Sequence, residues 1–439
     1  MLSIIGLIGG LLLLIILTIR GMNILIAAPI CALLAALSSG IPLMPPLADG
    51  GPSYTMDYMA GFASFLQSWF IVFLLGAMFG KVMEDSGAAD SVAHWVVQKL
   101  GMKHAALAVI MACAILTYGG VSVFVVAFSV FPMALSLFKE ANLPRRFIPA
   151  ALAFGSGTFT MTSAGSMEIQ NFLPMEYLGT TQFAGWRVSI FVALFIMLTG
   201  IWIFERMVRR AKANGEGFED RAGDPEQKSY DNLPNPFLAL IPLACVLGTS
   251  FYFSVILDYG KSSLIVALLV GLLLSIAIYW KRFNNLGMAL STATLGALVA
   301  ISNTCAVVGF GSIAKLTPAF QDTVALMTSI PGNGLIGAAV AISVIVALTG
   351  SASGGQAIAL PLIAPHYLDA GVDPEALHRV VSITSGGLDS LPHNGYVVTT
   401  IRAICGETHK TAYLPLAAVT TVIPFMGAIL AIALFALGL

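Results

Sequence analysis

Apolar runs about as long as a bilayer is thick recur along this chain, and they fix its solvent before anything else. Leu2–Ile19, Phe237–Leu257 and Ala412–Leu439 reach or approach the roughly 20 residues a helix needs to cross a hydrocarbon core. Lipid offers no hydrogen-bond partners to the backbone, so such runs are helical, and the expected fold class is an all-α polytopic membrane protein. Composition agrees, with 58% hydrophobic residues, 10% charged and a mean hydropathy of +0.90. A net charge of −1 and the lack of a basic tract exclude a nucleic-acid partner. Cys31, Cys113, Cys245, Cys305 and Cys405 stand singly in apolar segments with no CxxC spacing. No disulfide framework, metal site or cofactor is implied. The first apolar run lacks a basic flank and a small-residue cleavage site, so it is expected to stay in the protein.

The runs divide into ten expected spans. Five lie at about 2–19, 22–45, 60–80, 147–180 and 187–205, and five at about 237–257, 262–280, 287–313, 375–404 and 412–438. Polar residues interrupt 147–180 and 375–404. Two further pieces, 104–138 and 334–369, each have two apolar arms around a small-residue tip, Thr117–Ser122 and Thr349–Gly355. An arm of about 15 residues is short for a crossing, so both are expected to be re-entrant hairpins.

Lysine and arginine collect on the cytoplasmic side. Placing the polar linker 206–235 inside also puts Arg20, Lys81, Lys99, Lys103, Lys139, Arg145, Arg146, Lys281, Arg282, Arg402 and Lys410 there. Only Arg187, Lys261, Lys315 and Arg379 are left outside. Five spans per half is odd, so the halves 1–205 and 236–439 are expected to be inverted repeats. Pro144 and Pro374 precede their glycine-rich breaks at similar distances, which supports the pairing. Inverted repeats with interrupted helices characterise secondary transporters. Gly87–Gly101 reads as an interfacial helix bracing the first hairpin, or as one packed on a neighbouring span.

The polar islands are where a solute would be held. Ser385–Thr400, SGGLDSLPHNGYVVTT, has the turn chemistry of a broken helix, and a break frees backbone N–H groups at one end for an anion. Asp389, Ser390, His393 and Asn394 add side-chain donors and acceptors. Gly155–Asn171 repeats the kit with Thr160, Thr162, Ser163, Ser166, Glu168, Gln170 and Asn171. The hairpin tips contribute Gly119, Gly120, Ser122, Ser351, Ser353, Gly354 and Gly355, which also suit close backbone packing. Asp389, Glu168 and His393 are the candidates for carrying a proton, since an ionisable group within the membrane is functional by default. The plainer readings place Asp389 and Glu168 in water-facing loops and make His393 a cap.

At these residues the sequence resembles the gluconate permease family of bacterial proton-coupled symporters. GTFTMTSAGSMEIQN (Gly157–Asn171) is similar to the family's first signature, where Pro-Gly-Ser/Thr-Pro-Gln-Ile-Gln-Asn follows Thr-Met-Thr. Leu377–Lys410 resembles the second signature more closely. By position, Thr160, Thr162, Gln170 and Asn171 fall on the first motif, and Asp389, His393 and Asn394 on the second. The resemblance implies a multi-pass importer of the bacterial inner membrane, driven by H+, for small organic anions. It further implies a homodimer with a fixed scaffold and a moving body built on the hairpins. Both prolines of the first signature are missing, and Met167–Glu168 stands where Pro-Gln is usual. Asn303–Ile313 also lacks the family's Gly-Gly-Ala-Phe type of run. These departures point to the branch similar to carriers of 3-hydroxybutyrate and related short hydroxy acids, with gluconate-type sugar acids as the alternative. Na+ coupling stays open, because hydroxyls and carbonyls at the tips suit sodium. A channel would need a continuous polar path, and an intramembrane enzyme a motif such as HExxH or GxSxG. The sequence has neither.

Overall fold

Asparagine, aspartate, serine and threonine begin most of the helices, and this local chemistry sets the element boundaries. Ser53, Asn235, Asn285, Asn333, Ser351, Asp373, Asn394 and Thr408 each accept a backbone N–H of the first turn that follows. Such caps are each worth about 1 kcal/mol, and in a bilayer they spare an N–H that nothing else would satisfy. A computed structural model describes residues 2–20, 22–45, 51–101, 104–221, 224, 232–328 and 333–439. Lys103 and the linker positions 222–223 and 225–231 lie outside the described residues.

The described chain is helical, and each half repeats one order of elements. The first half has Leu2–Ile19, Ile24–Ser38, the long helix Tyr54–Asp85 and the short helix Ala88–Leu100. A hairpin follows (Ala105–Tyr118 and Val123–Glu140), then a broken helix (Ile148–Gly157, resuming at Leu173–Leu178) and Trp186–Ala213. The second half has Pro236–Phe251, Ser262–Tyr279, the long helix Leu286–Lys315 and the short helix Pro318–Thr328. Its hairpin is Gly334–Thr349 and Ala352–Asp369, its broken helix Pro374–Leu388 resuming at Gly395–Val398, and its closing helix begins at His409.

Among the described residues, seven helices are long and apolar enough to cross a membrane. One is the hairpin arm Val123–Glu140, longer than the sequence reading allowed for an arm. The expected span 22–45 is shorter, ending at Ser38 because Ser39, Gly40 and Pro42 cannot extend it. The span expected at 60–80 is longer, since the helix runs on through Asp57 at one end and Glu84 at the other.

Two bodies result. The long helices pack along each other with Ile24–Ser38 and Ser262–Tyr279, forming a scaffold. Tyr58 Oη donates to the Ala306 carbonyl at 3.1 Å, and Gly61 faces Ser312. The start of one long helix thus lies on the end of the other, so the pair runs antiparallel. The second body joins both hairpins and both broken helices. Each hairpin's first arm packs on the first segment of its own broken helix. Its second arm reaches the resumed segment of the other half's broken helix. Ala88–Leu100 braces the first hairpin and also leans on Pro236–Phe251, where Ser91 Oγ donates to the Pro234 carbonyl. It thus packs on the hairpin and on a neighbouring helix at once. Its partner in the second half, Pro318–Thr328, went unread because Gln321 and Asp322 interrupt a weak apolar pattern.

The linker is pinned to the second body by ions. Arg145, at the entry to the first broken helix, pairs with Asp224 at 2.7 Å and with the buried Glu407 at 3.3 Å. Arg221 pairs with Glu407 at 2.9 Å. The Arg145 hydrogen bonds hold the Asp224 carboxyl below the usual carboxylate range.

The expectation that the hairpins face opposite sides gives a direct prediction. In a cysteine-free background, Ser122→Cys and Ser351→Cys, both partly exposed at the turns, should label with a membrane-impermeant thiol reagent from opposite sides. Labelling of both from one side would contradict the inverted arrangement.

Candidate functional site

The helix breaks arise from residues that cannot continue a helix in lipid. Around the second break, Asp389 ends Pro374–Leu388, and Pro392 and Asn394 prevent its resumption before Gly395. The tip of the second hairpin sits on this break. Asn394 Nδ2 donates to the Gly350 carbonyl at 2.9 Å, while Asn394 Oδ1 caps the Val397 N–H at 2.8 Å. Gly350 adopts φ +61, and a Cβ there would lie 2.7 Å from His393 Nε2. His393 is 7% exposed, and its Nε2 is buried without a hydrogen-bond partner. Asp389 is 8% exposed and accepts from Ser390 Oγ at 2.9 Å. Four predicted residues, Asp389, Ser390, His393 and Asn394, thus share one break, with His393 and Asn394 directly against the hairpin tip. Gly350→Ala combines left-handed strain of about 1–2 kcal/mol with a collision against the imidazole. It is expected to cut initial uptake at least about tenfold at unchanged membrane yield, and unaltered uptake would show that the tip need not seat.

The first break meets the first hairpin in the same way. Tyr118 Oη donates to the Ala164 carbonyl at 2.6 Å, and Gly120, at φ +99, faces Met167. Glu168 is partly exposed here, with the Val123 N–H that opens the second arm nearby. Ser122 precedes that arm without capping it through its side chain. Glu168 thus stands at the start of the resumed segment, as Asn394 does in the other half, whereas Asp389 ends the first segment of its own break.

Several predicted residues have other duties. Asn171 is fully buried; its Nδ2 donates to Ser166 and Gln182 carbonyls, and its Oδ1 accepts from Arg379 and His378. Its bonding capacity is spent on the fold. Thr160, Thr162 and Ser163 turn their hydroxyls back onto carbonyls of the preceding turn. Thr160 and Ser163 also edge a mainly apolar cavity of about 500 Å³ beside Leu243 and Leu247. Gly119 packs on Leu243 of Pro236–Phe251, where a Cβ would come within 2.6 Å of Leu243 Cδ2. Ser353, Gly354 and Gly355 belong to the second arm's first turns and not to the tip, because Ser351 caps the arm through the Gly354 N–H. Gly354 and Gly355 let that arm approach Val307 and Val346. They serve packing.

Other polar residues had no signal strong enough to be read. Gln356 Nε2 bridges the Gln170 carbonyl (3.1 Å) and Ser385 Oγ (2.7 Å), tying the second hairpin to the first break. Tyr396 Oη meets Ser156 Oγ at 2.8 Å, tying the second broken helix to the first. Arg379, counted among the charges on the outer side, is instead fully buried in Pro374–Leu388. A buried charge does not report loop topology, so it drops out of that count.

Each hairpin tip thus meets one helix break. A sequence model of the GntP family permease matches residues 1–437. The chain belongs to the GntP permease family. This permease is 35% identical over 443 residues to YxjC of Bacillus subtilis (strain 168), described as a transporter, with 92% of each chain covered. It is 34% identical over 134 residues to a high-affinity gluconate transporter of Escherichia coli (strain K12), covering 30% of this chain and 28% of that one. Its fold matches the Alcanivorax borkumensis YdaH transporter with a TM-score of 0.58 at 16% identity, covering 99% and 98% of the two chains. The permease is a multi-pass membrane transporter.

Proposed function

We propose that this permease is a secondary active symporter that imports a small hydroxylated monocarboxylate together with a proton. The observation that carries the reading is the second break, which buries Asp389 and sets an unpartnered His393 nitrogen against the hairpin tip. Asp389 is the leading proton carrier, with His393 and Glu168 in reserve. The hairpins and broken helices move as one body past the scaffold in an elevator-type cycle, a reading supported by their mutual packing. Gluconate-type sugar acids are favoured by the similarity to Escherichia coli gluconate transporters. A short acid of the 3-hydroxybutyrate kind is favoured by Met167–Glu168 in place of Pro-Gln.

Uptake of labelled D-gluconate and 3-hydroxybutyrate into proteoliposomes separates these readings. An imposed inward pH gradient is expected to drive accumulation of one of them. Accumulation driven by a Na+ gradient alone would replace the coupling ion, and a lack of counterflow would replace the carrier by a pore.

A further inference from the structure

Arg379 is 0% exposed, and all five of its N–H donors are engaged. Nε donates to the Ala184 carbonyl at 3.0 Å. Nη1 donates to the Thr162 carbonyl at 2.7 Å and Asn171 Oδ1 at 2.9 Å. Nη2 donates to the carbonyls of Gln182 at 3.2 Å and Ala184 at 2.8 Å. Every acceptor is neutral. Among the described residues no carboxylate pairs with the guanidinium. Glu375, one turn earlier, acts on the guanidinium through its charge without pairing with it, but it is exposed, takes the Gly185 N–H at 3.2 Å and is screened by solvent. The neighbouring His378 is bonded to Thr180, and the Tyr118 hydroxyl is bonded to Ala164.

Burying an ion without an opposite charge is strongly unfavourable, and a structural cross-link needs only donors. Carbonyl dipoles solvate the guanidinium but leave its net charge in place, and its field carries far where water is excluded. The seam between the two breaks lies within that reach. With a rise of about 1.5 Å per residue, Ser382 and Ser385 stand roughly 4.5 and 9 Å further along the helix axis from Arg379. Both line the seam, Ser382 on the Gln170 carbonyl and Ser385 on Gln356. Gln170 Oε1 and Gln356 Oε1 are buried there without partners.

We propose that Arg379 is the resident countercharge for the transported anion, selecting negative charge through its field without touching the solute. This rests on the reading of the permease as an organic-anion carrier. It makes Arg379 a positioning and specificity residue. A carboxylate about 10 Å away at an effective dielectric of about 20 would gain roughly fifteenfold in affinity.

The test compares acids with their uncharged amides: D-gluconate with D-gluconamide, and 3-hydroxybutyrate with 3-hydroxybutyramide, as inhibitors of counterflow. Arg379→Met removes the charge. Arg379→Gln also removes the charge but keeps two N–H donors for the surrounding carbonyls, and so covers a folding failure of the first variant. Each is expected to lower the acid-to-amide preference about tenfold or more. Arg379→Lys, with fewer donors but the same charge, is expected to keep that preference. A parallel loss for acid and amide, an unchanged preference, or a collapse in Arg379→Lys overturns the proposal. If the wild-type protein itself shows no preference for the acids, the anion-carrier reading fails instead.

Discussion

Asp389→Asn should reduce accumulation of solute against its gradient to the equilibrium level while leaving exchange across the membrane within a few-fold of wild type. The substitution replaces a carboxyl by a neutral group of the same shape, which mimics the protonated state permanently. Asp389 lies at the C-terminal end of Pro374–Leu388, almost fully buried, with Ser390 Oγ its hydrogen-bond donor at 2.9 Å. Tyr413 Oη donates to the Ser390 carbonyl at 3.3 Å and steadies that turn. A buried carboxylate with so few donors is costly to keep ionised, and the body is expected to cross with that charge neutralised. Import of one monocarboxylate with one proton moves no net charge, so a pH gradient alone suffices to drive it. The asparagine variant loses that link and equilibrates its solute. Proteoliposomes with an imposed pH gradient measure accumulation, and counterflow measures exchange. Continued concentration of solute by the variant in response to pH would remove Asp389 from the coupling step and leave His393 or Glu168.

The membrane class and the two hairpins were legible because lipid imposes a length and a polarity that few sequences satisfy by accident. The second break was legible for the same reason, since Asp389, Pro392, His393 and Asn394 have no place in a plain span. What escaped was the direction of each side chain. Thr160, Thr162 and Asn171 have the residue types of a binding site, yet their hydrogen bonds close on the break itself. Spacing cannot tell a hydroxyl aimed at a solute from one bonded to the carbonyl four residues back. Gln356 and Arg379 failed in the opposite sense. One looks like a stray amide among glycines and the other like an outer-side charge, and only tertiary packing brings both against the first break.

Asn394→Ala is expected to abolish uptake, and Asn394→Asp distinguishes the two jobs of this side chain. Its Oδ1 caps the resumed helix at Val397, and its Nδ2 holds the Gly350 carbonyl of the hairpin tip. Loss of an N-cap costs about 1 kcal/mol. A buried carbonyl left without its donor costs about 1–3 kcal/mol more. Together these shift the seating of the hairpin by roughly 30-fold or more, because each 1.4 kcal/mol is tenfold. Aspartate retains a good capping oxygen but cannot donate to Gly350, and it sets two oxygens against each other. If seating of the tip limits transport, aspartate should fail nearly as badly as alanine, with both proteins inserted and equally stable to heat within a few degrees. If only the cap matters, aspartate should transport like wild type while alanine does not. Initial uptake rates normalised to inserted protein decide between these outcomes, and normal transport by both variants would show that the tip and the break need not be latched at all.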